Sequence, residues 1–212
     1  MRVESTMGRN SKINKLRELR RKIINNYFSD EERQEDVWFF PPGRILSNRS
    51  YNVSDDYGKP PPSFLKNVDV ESVKGYEGTG PIFFLCINPS TGKFDYAAKI
   101  FYMLLKCKNL DNAHVTDFFK TRMTGKQLIK AREDRDLIQE SVRYLREELA
   151  IIQPKKIVVV GNNADFFKKH LGEYSEYSKV RKVPIVHYTR YKYIKMGERI
   201  SFFRNLMKEV TT

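Results

Sequence analysis

The sequence predicts an α/β protein in which a central parallel sheet of four strands is covered by helices on both faces. Three observations predict it. Short apolar runs rich in β-branched and aromatic residues recur at 81–87, 114–119, 156–160 and 183–186, and an unbroken apolar run is what a strand buried on both faces requires. Between these runs, apolar residues return every three or four positions, the period of a helix with one buried side. The alternation of strand and helix makes successive strands parallel, joined by right-handed crossovers. In such sheets the ligand site lies at the carboxyl ends of the strands, so the residues that follow each strand carry the functional interest.

The elements follow in order. Residues 11–28 place Ile13, Leu16, Leu19, Ile23, Ile24 and Tyr27 on one helical stripe beside Arg17, Arg20, Arg21 and Lys22. Such a basic amphipathic helix can lie on DNA or an acidic membrane, but docking on the domain with its charges solvated is the simpler reading. Turn formers dominate from 41 to 80, including Pro41-Pro42-Gly43, Pro60-Pro61-Pro62, Gly75, Gly78 and Gly80, which makes a long irregular connection. Residues 1–79 therefore read as an extension packing on a core of 80–212. The first strand leads to a helix near 95–106 and the second to a long helix at about 133–152, with Leu137, Ile138, Val142, Leu145, Leu149 and Ile152 inward and Pro154 ending it. Gly161 opens the turn after the third strand, before a helix over 162–170. A last helix at 197–209 carries Ile200, Phe203, Leu206 and Met207 on its core side. No internal repeat is present.

Of the 212 residues, 40% are apolar and 13% aromatic, enough for a substantial core and incompatible with a wholly disordered chain. No apolar run approaches the roughly 18 residues that span a bilayer, and the polar start carries no hydrophobic signal segment, so the cytoplasm is the expected compartment, or the nucleoid in a prokaryote. Cys86 and Cys107 are the only cysteines, too few for a disulfide scaffold, a four-cysteine zinc site or an iron–sulfur cluster. No metal or cofactor is expected, and a monomer is the default. The 39 lysines and arginines outnumber the 26 aspartates and glutamates, for a net charge of +13, which favours a polyanionic partner, nucleic acid first.

Several site motifs fail on inspection. Thr91-Gly92-Lys93 follows the first strand, but a phosphate-binding loop needs glycine where Ile87 stands and a hydroxyl where Phe94 stands. Gly75, Gly78 and Gly80 precede the strand and do not form the dinucleotide fingerprint. Ser90 and His187 can be drawn together as a hydrolase pair, yet no G-x-S-x-G elbow exists.

The post-strand segments do form a consistent succession: Ile87-Asn88-Pro89-Ser90, then Val115-Thr116-Asp117-Phe118-Phe119-Lys120-Thr121-Arg122, then 154–162 ending in Gly161-Asn162, then His187-Tyr188-Thr189-Arg190-Tyr191. In order and strand position these segments, within about residues 80–210, resemble the motifs of the uracil-DNA glycosylase superfamily, and most of all its mismatch-specific (G:T/U) branch, whose first motif reads G-I-N-P-G. The resemblance implies the superfamily's three-layer fold and a repair enzyme that binds DNA, flips a uracil-like, deaminated or mismatched base from the stack and hydrolyses its N-glycosidic bond. It implies that Asn88 positions the attacking water and that His187 donates to the base oxygen as charge builds there. Ile87, Pro89 and Asp117 fall at base-binding positions, with Phe94 or Tyr96 as a stacking aromatic. Ser90, Lys93, Lys120, Arg122, Asn162 and Thr189 fall among DNA contacts, and Arg190 or Tyr191 stands where relatives insert a wedge into the emptied stack.

The chain departs from that pattern in three places. Cys86 and Ser90 replace glycines of the first motif. The loop between Asn88 and the following helix is shorter than in the mismatch-specific branch. Asp117 stands where several branches read uracil with an asparagine; ionised it can only accept hydrogen bonds and repels O4 of uracil, whereas protonated it can donate to a cytosine-like ring nitrogen and accept from the exocyclic amine. An alternative follows from these deviations: a nucleic-acid-binding module that has lost catalysis.

Overall fold

The computed structural model describes residues 6–27, 42–43, 65, 67–88, 96–121, 123–187, 190, 194–195 and 198–211. Its elements are α1 (Thr6–Tyr27), a 3-10 turn (Gly75–Glu77), β1 (Ile82–Cys86), α2 (Tyr96–Cys107), β2 (His114–Asp117), α3 (Gly125–Ala131), α4 (Arg135–Ile152), β3 (Lys156–Val160), α5 (Ala164–Leu171), α6 (Ser175–Ser178), β4 (Arg181–Ile185) and α7 (Arg199–Thr211). The strands form one parallel sheet in the order β2-β1-β3-β4. Its register aligns Phe84 with Val115 and Val158, and Val160 with Ile185. This is the expected α/β architecture of three layers.

Alternation along each strand sorts the core into two halves. Phe84, Cys86, Val115, Val158, Val160 and Ile185 join one cluster with Ile100, Phe101 and Leu104 of α2 and Phe203, Leu206 and Met207 of α7. Phe83, Leu85, Ile157 and Val159 join the other with α4 and α5, through Leu145, Leu149, Ile152, Phe167 and Leu171. We call these the first and second faces. Both β1 and β3 are buried on the two sides, which is why their sequences are continuous apolar runs.

The N-terminal helix docks as the simpler reading expects. Leu16, Leu19 and Ile23 are buried in the second-face core against α4. Polar ties flank them: Arg17 makes a two-bond pair with Glu77, Lys22 pairs with Glu147, and the Asn26 amide donates to the Tyr144 hydroxyl. The segment before β1 is equally part of the fold, with Leu65, Val70 and Val73 in the first-face core and Tyr76 in the second. At Gly78 the main chain passes so close to β2 that a Cβ would lie 1.9 Å from the Ala113 carbonyl oxygen. Only glycine fits there.

Element ends differ from the sequence reading where a side chain outweighs the apolar run. β2 stops at Asp117 rather than 119; the amides of Phe118 and Phe119 still bond to the carbonyls of Cys86 and Ile87, but both rings are buried in the second-face core. Two short helices, α3 and α6, interrupt segments whose sequence shows no helical period.

Candidate functional site

All four strands end along one edge, and the chain leaves neighbouring β1 and β3 in opposite directions. From β1 it passes to α2 on the first face and on to β2, whereas from β3 it passes to α5 on the second face and on to β4. In sheets of this kind, ligands bind at the strand ends where neighbouring connections diverge in this way. Asn88 stands two residues past β1, and Gly161 and Asn162 directly follow β3. Along the edge the order is therefore Asp117, Asn88, the 161–163 turn and His187. Strands lie about 4.8 Å apart, so Asp117 and Asn88 are near neighbours while His187 stands two strands beyond Asn88.

Asn88 is half-buried, and its Nδ2 donates to the Met123 carbonyl at 3.3 Å. Because Met123 lies in the connection after β2, this bond ties two strand-end loops together and sets the direction of the amide. Ile87 packs its side chain on the second-face core while its carbonyl accepts from the Phe119 amide at 3.0 Å.

Asp117 ends β2 opposite Cys86. Only 4% of it is exposed, and its Oδ1 is sealed from solvent with no hydrogen-bond partner among the described residues. Burial pushes the carboxyl up to about 8; Lys120 pulls it down and Glu148 pushes it up again. An acid so placed is mostly protonated at neutral pH. The Cys86 thiol beside it is also driven up, by burial first and Asp117 second.

Lys120 lies inside the fold, away from any DNA-facing surface. Expected at the DNA backbone, it is 2% exposed, and its ammonium lies 2.9 Å from Glu148 Oε1. The same nitrogen donates to Thr116 Oγ1 at 3.0 Å and to the Asp117 backbone carbonyl at 2.5 Å. The physical reason is Glu148, a carboxylate on the inward stripe of α4, which is buried and demands a cation. Tyr76 donates its hydroxyl to Glu148 Oε1 at 3.0 Å, and His114 Nε2 stands 3.8 Å from Oε2. Burial alone would raise Glu148, but Lys120 and then His114 hold its carboxyl below the usual range. The signal was in the sequence: Glu148 sits three residues after Leu145 and four before Ile152, a charge on an apolar stripe.

Beyond β3, Gly161 adopts φ +81°, and a Cβ there would press within 3.1 Å of the Asn163 amide nitrogen and 3.6 Å of the His187 Cβ. Glycine thus lets the histidine close over the turn. His187 is half-buried, and its carbonyl accepts from the amide of Arg190, whose side chain is exposed. Asn162 is exposed. Its neighbour Asn163, which the sequence reading passed over, is the structural amide: Nδ2 donates to the Val160 carbonyl at 3.0 Å and Oδ1 accepts from Arg132 at 2.6 Å. The Arg132 guanidinium in turn covers the Phe166 ring at 5.3 Å. A buried asparagine beside a glycine turn was the available signal.

Pro89, Ser90, Lys93, Phe94, Arg122, Thr189 and Tyr191 lie outside the described residues, as does the side chain of Tyr96. Among the described residues no three His, Cys, Asp or Glu gather as a metal site needs, and no helix is long and apolar enough to cross a membrane. A separate cleft of about 410 Å³ lies on the second face, lined by Val159, Lys168, Tyr177, Lys182 and Pro184 among others, and shares no residue with the row at the strand ends. A scan against protein-family models finds no matching family, and a search of curated proteins finds no match.

Proposed function

We propose that this protein is a DNA glycosylase: it binds DNA through its positive charge, receives a flipped, damaged or mismatched base where the connections from β1 and β3 diverge, and hydrolyses the N-glycosidic bond. The observation that carries the reading is the placement of Asn88 at the switch point, its amide direction set by Met123, in one row with Asp117 and His187. An amide cannot take a proton from water as a carboxylate does, so Asn88 orients the nucleophile and the rate depends on steadying the departing base. His187, closing over Gly161, is the donor for that base. The net charge of +13 supports a polyanionic substrate. Lys120 has no part in DNA contact on this reading; Arg190, Asn162 and, outside the described residues, Ser90, Lys93, Arg122, Thr189 and Tyr191 form the DNA-contacting set. No metal or cofactor enters the reaction.

The test is base release from labelled single- and double-stranded oligonucleotides carrying uracil, G:T and G:U mismatches, hypoxanthine, xanthine or alkylated cytosine. Wild type is expected to release at least one base, and His187→Ala to slow that release roughly 100-fold, the scale of losing one polar contact to developing charge. Salt-sensitive binding with no release from any substrate would instead establish a non-catalytic module, the reading that the deviating Cys86 and Asp117 positions favour.

A further inference from the structure

The Asp117 side chain has no structural explanation. Buried polar groups are nearly always paired; beside it on β2, Thr116 Oγ1 accepts from Lys120, and His114 Nδ1 donates to the Gly78 carbonyl at 3.2 Å while its Nε2, without a hydrogen bond, lies 3.8 Å from Glu148 Oε2. The cation that acts on it among the described residues, Lys120, spends its hydrogens on Glu148, Thr116 and the main-chain oxygen of Asp117 itself. Among the described residues, the Asp117 carboxyl at the end of β2 has no counter-ion bonded to it, and its Oδ1 is sealed and unpartnered. The charged and titratable groups that act on it, among the described residues, are Lys120 in its own turn, Glu148 from α4 and Cys86 from β1; α7 lies against β4.

A neutral carboxyl presents one donor and one acceptor side by side. A ring nitrogen with a lone pair next to an exocyclic amine is the complementary edge, and that edge belongs to cytosine-type bases. We propose that Asp117 is the base-reading general acid of this site and that the substrate class is a damaged 4-aminopyrimidine. The inference rests on the glycosylase reading. Asp117 transfers its proton to ring N3 as the C1′–N1 bond breaks; the bonding pair stays on N1, and the base departs as a neutral tautomer instead of an anion. Water held by Asn88 adds to C1′ and gives its surplus proton to solvent, and the Asp117 carboxylate is reprotonated from solvent. Uracil has no lone pair at N3 and gains nothing from this transfer.

The experiment compares duplexes that differ only at that edge. Single-turnover release is measured for 5-fluorocytosine, 5-fluorouracil and 3-deaza-5-fluorocytosine, which lacks the N3 acceptor, from pH 6 to 10, with wild type and Asp117→Asn. Wild type is expected to release 5-fluorocytosine at least 10-fold faster than either analogue, with the advantage lost as pH rises past about 8. Asp117→Asn, folded by circular dichroism, is expected to lose roughly 100-fold or more on 5-fluorocytosine and the pH dependence with it, the range assigned to general acid catalysis. Faster release of 5-fluorouracil than of 5-fluorocytosine would overturn the base class while leaving a glycosylase. Equal release by Asp117→Asn would overturn the general acid; no release of the three pyrimidines while hypoxanthine or xanthine is released would overturn this base class alone, and no release of any base in either assay would overturn the glycosylase reading together with this one.

Discussion

At the scale of single residues, two buried carboxyls a short distance apart are treated in opposite ways. Glu148 receives Lys120 at 2.9 Å and Tyr76 at 3.0 Å, while Asp117 receives no hydrogen bond at its sealed oxygen. Removing one partner of a buried pair strands the other, so Lys120→Met should cost about 3–5 kcal/mol in urea unfolding, and the double variant Lys120→Met/Glu148→Leu should recover much of it. A loss below about 1 kcal/mol for the single variant would mean that the pair is not sealed from water. The pH dependences also oppose. Glu148 is held low in the folded chain, so its contribution is present above the unfolded carboxylate range and fades as acid protonates the folded group. Asp117 is held high, so folding is favoured while it is protonated in both states, and stability is lost as pH climbs from about 4 to about 8. Asp117→Asn should flatten that falling limb and stabilise the protein at pH 7. The gain has a ceiling of about 4 kcal/mol, from about 1.4 kcal/mol per pH unit over the interval from 3.8 to 7. An unchanged pH profile of the urea midpoint would show that Asp117 is ionised in the fold.

At the scale of elements, α1 is held by a narrow stripe of three buried side chains, so Leu16→Ala should cost roughly 2–5 kcal/mol, as truncation in a well-packed core does. Truncation without loss of thermal stability would make α1 a detachable arm. The stripe was legible because Leu16, Leu19 and Ile23 recur at helical spacing, and the four strands were legible because burial on both faces leaves continuous apolar runs. Periodicity cannot reveal an element of one or two turns. For α3 the sequence nonetheless held a signal: Thr124 and Gln127 form a capping box, with the Gln127 amide donating to Thr124 Oγ1 and the Thr124 amide to Gln127 Oε1. Of the site, the alternation of strands and helices made the strand ends legible, while the choice of Asn88, Asp117 and His187 among the residues there came from the resemblance of their segments to family motifs. Lys120 was misjudged because its partner lies 28 residues away on a helix whose rotation the local sequence does not specify.

At the scale of the whole molecule, the fold supplies the row of strand ends and the composition supplies the field around it. With an excess of 13 positive charges, the proposed association with DNA is expected to be strongly salt-dependent. On the proposed reading the strand ends face DNA, and Arg190, exposed three residues past His187, follows the last of them. Arg190→Gln should lower the slope of log affinity against log salt by about 1, and an unchanged slope would place the DNA elsewhere. The most direct test of the central claim is single-turnover release of a substrate base from a labelled duplex by Asn88→Ala beside wild type, with affinity measured on the same DNA. The account predicts release that falls roughly 100-fold or more while affinity stays within about threefold, because Asn88 acts on water and not on the DNA backbone. Undiminished release by Asn88→Ala, or none by wild type on any base, would contradict it.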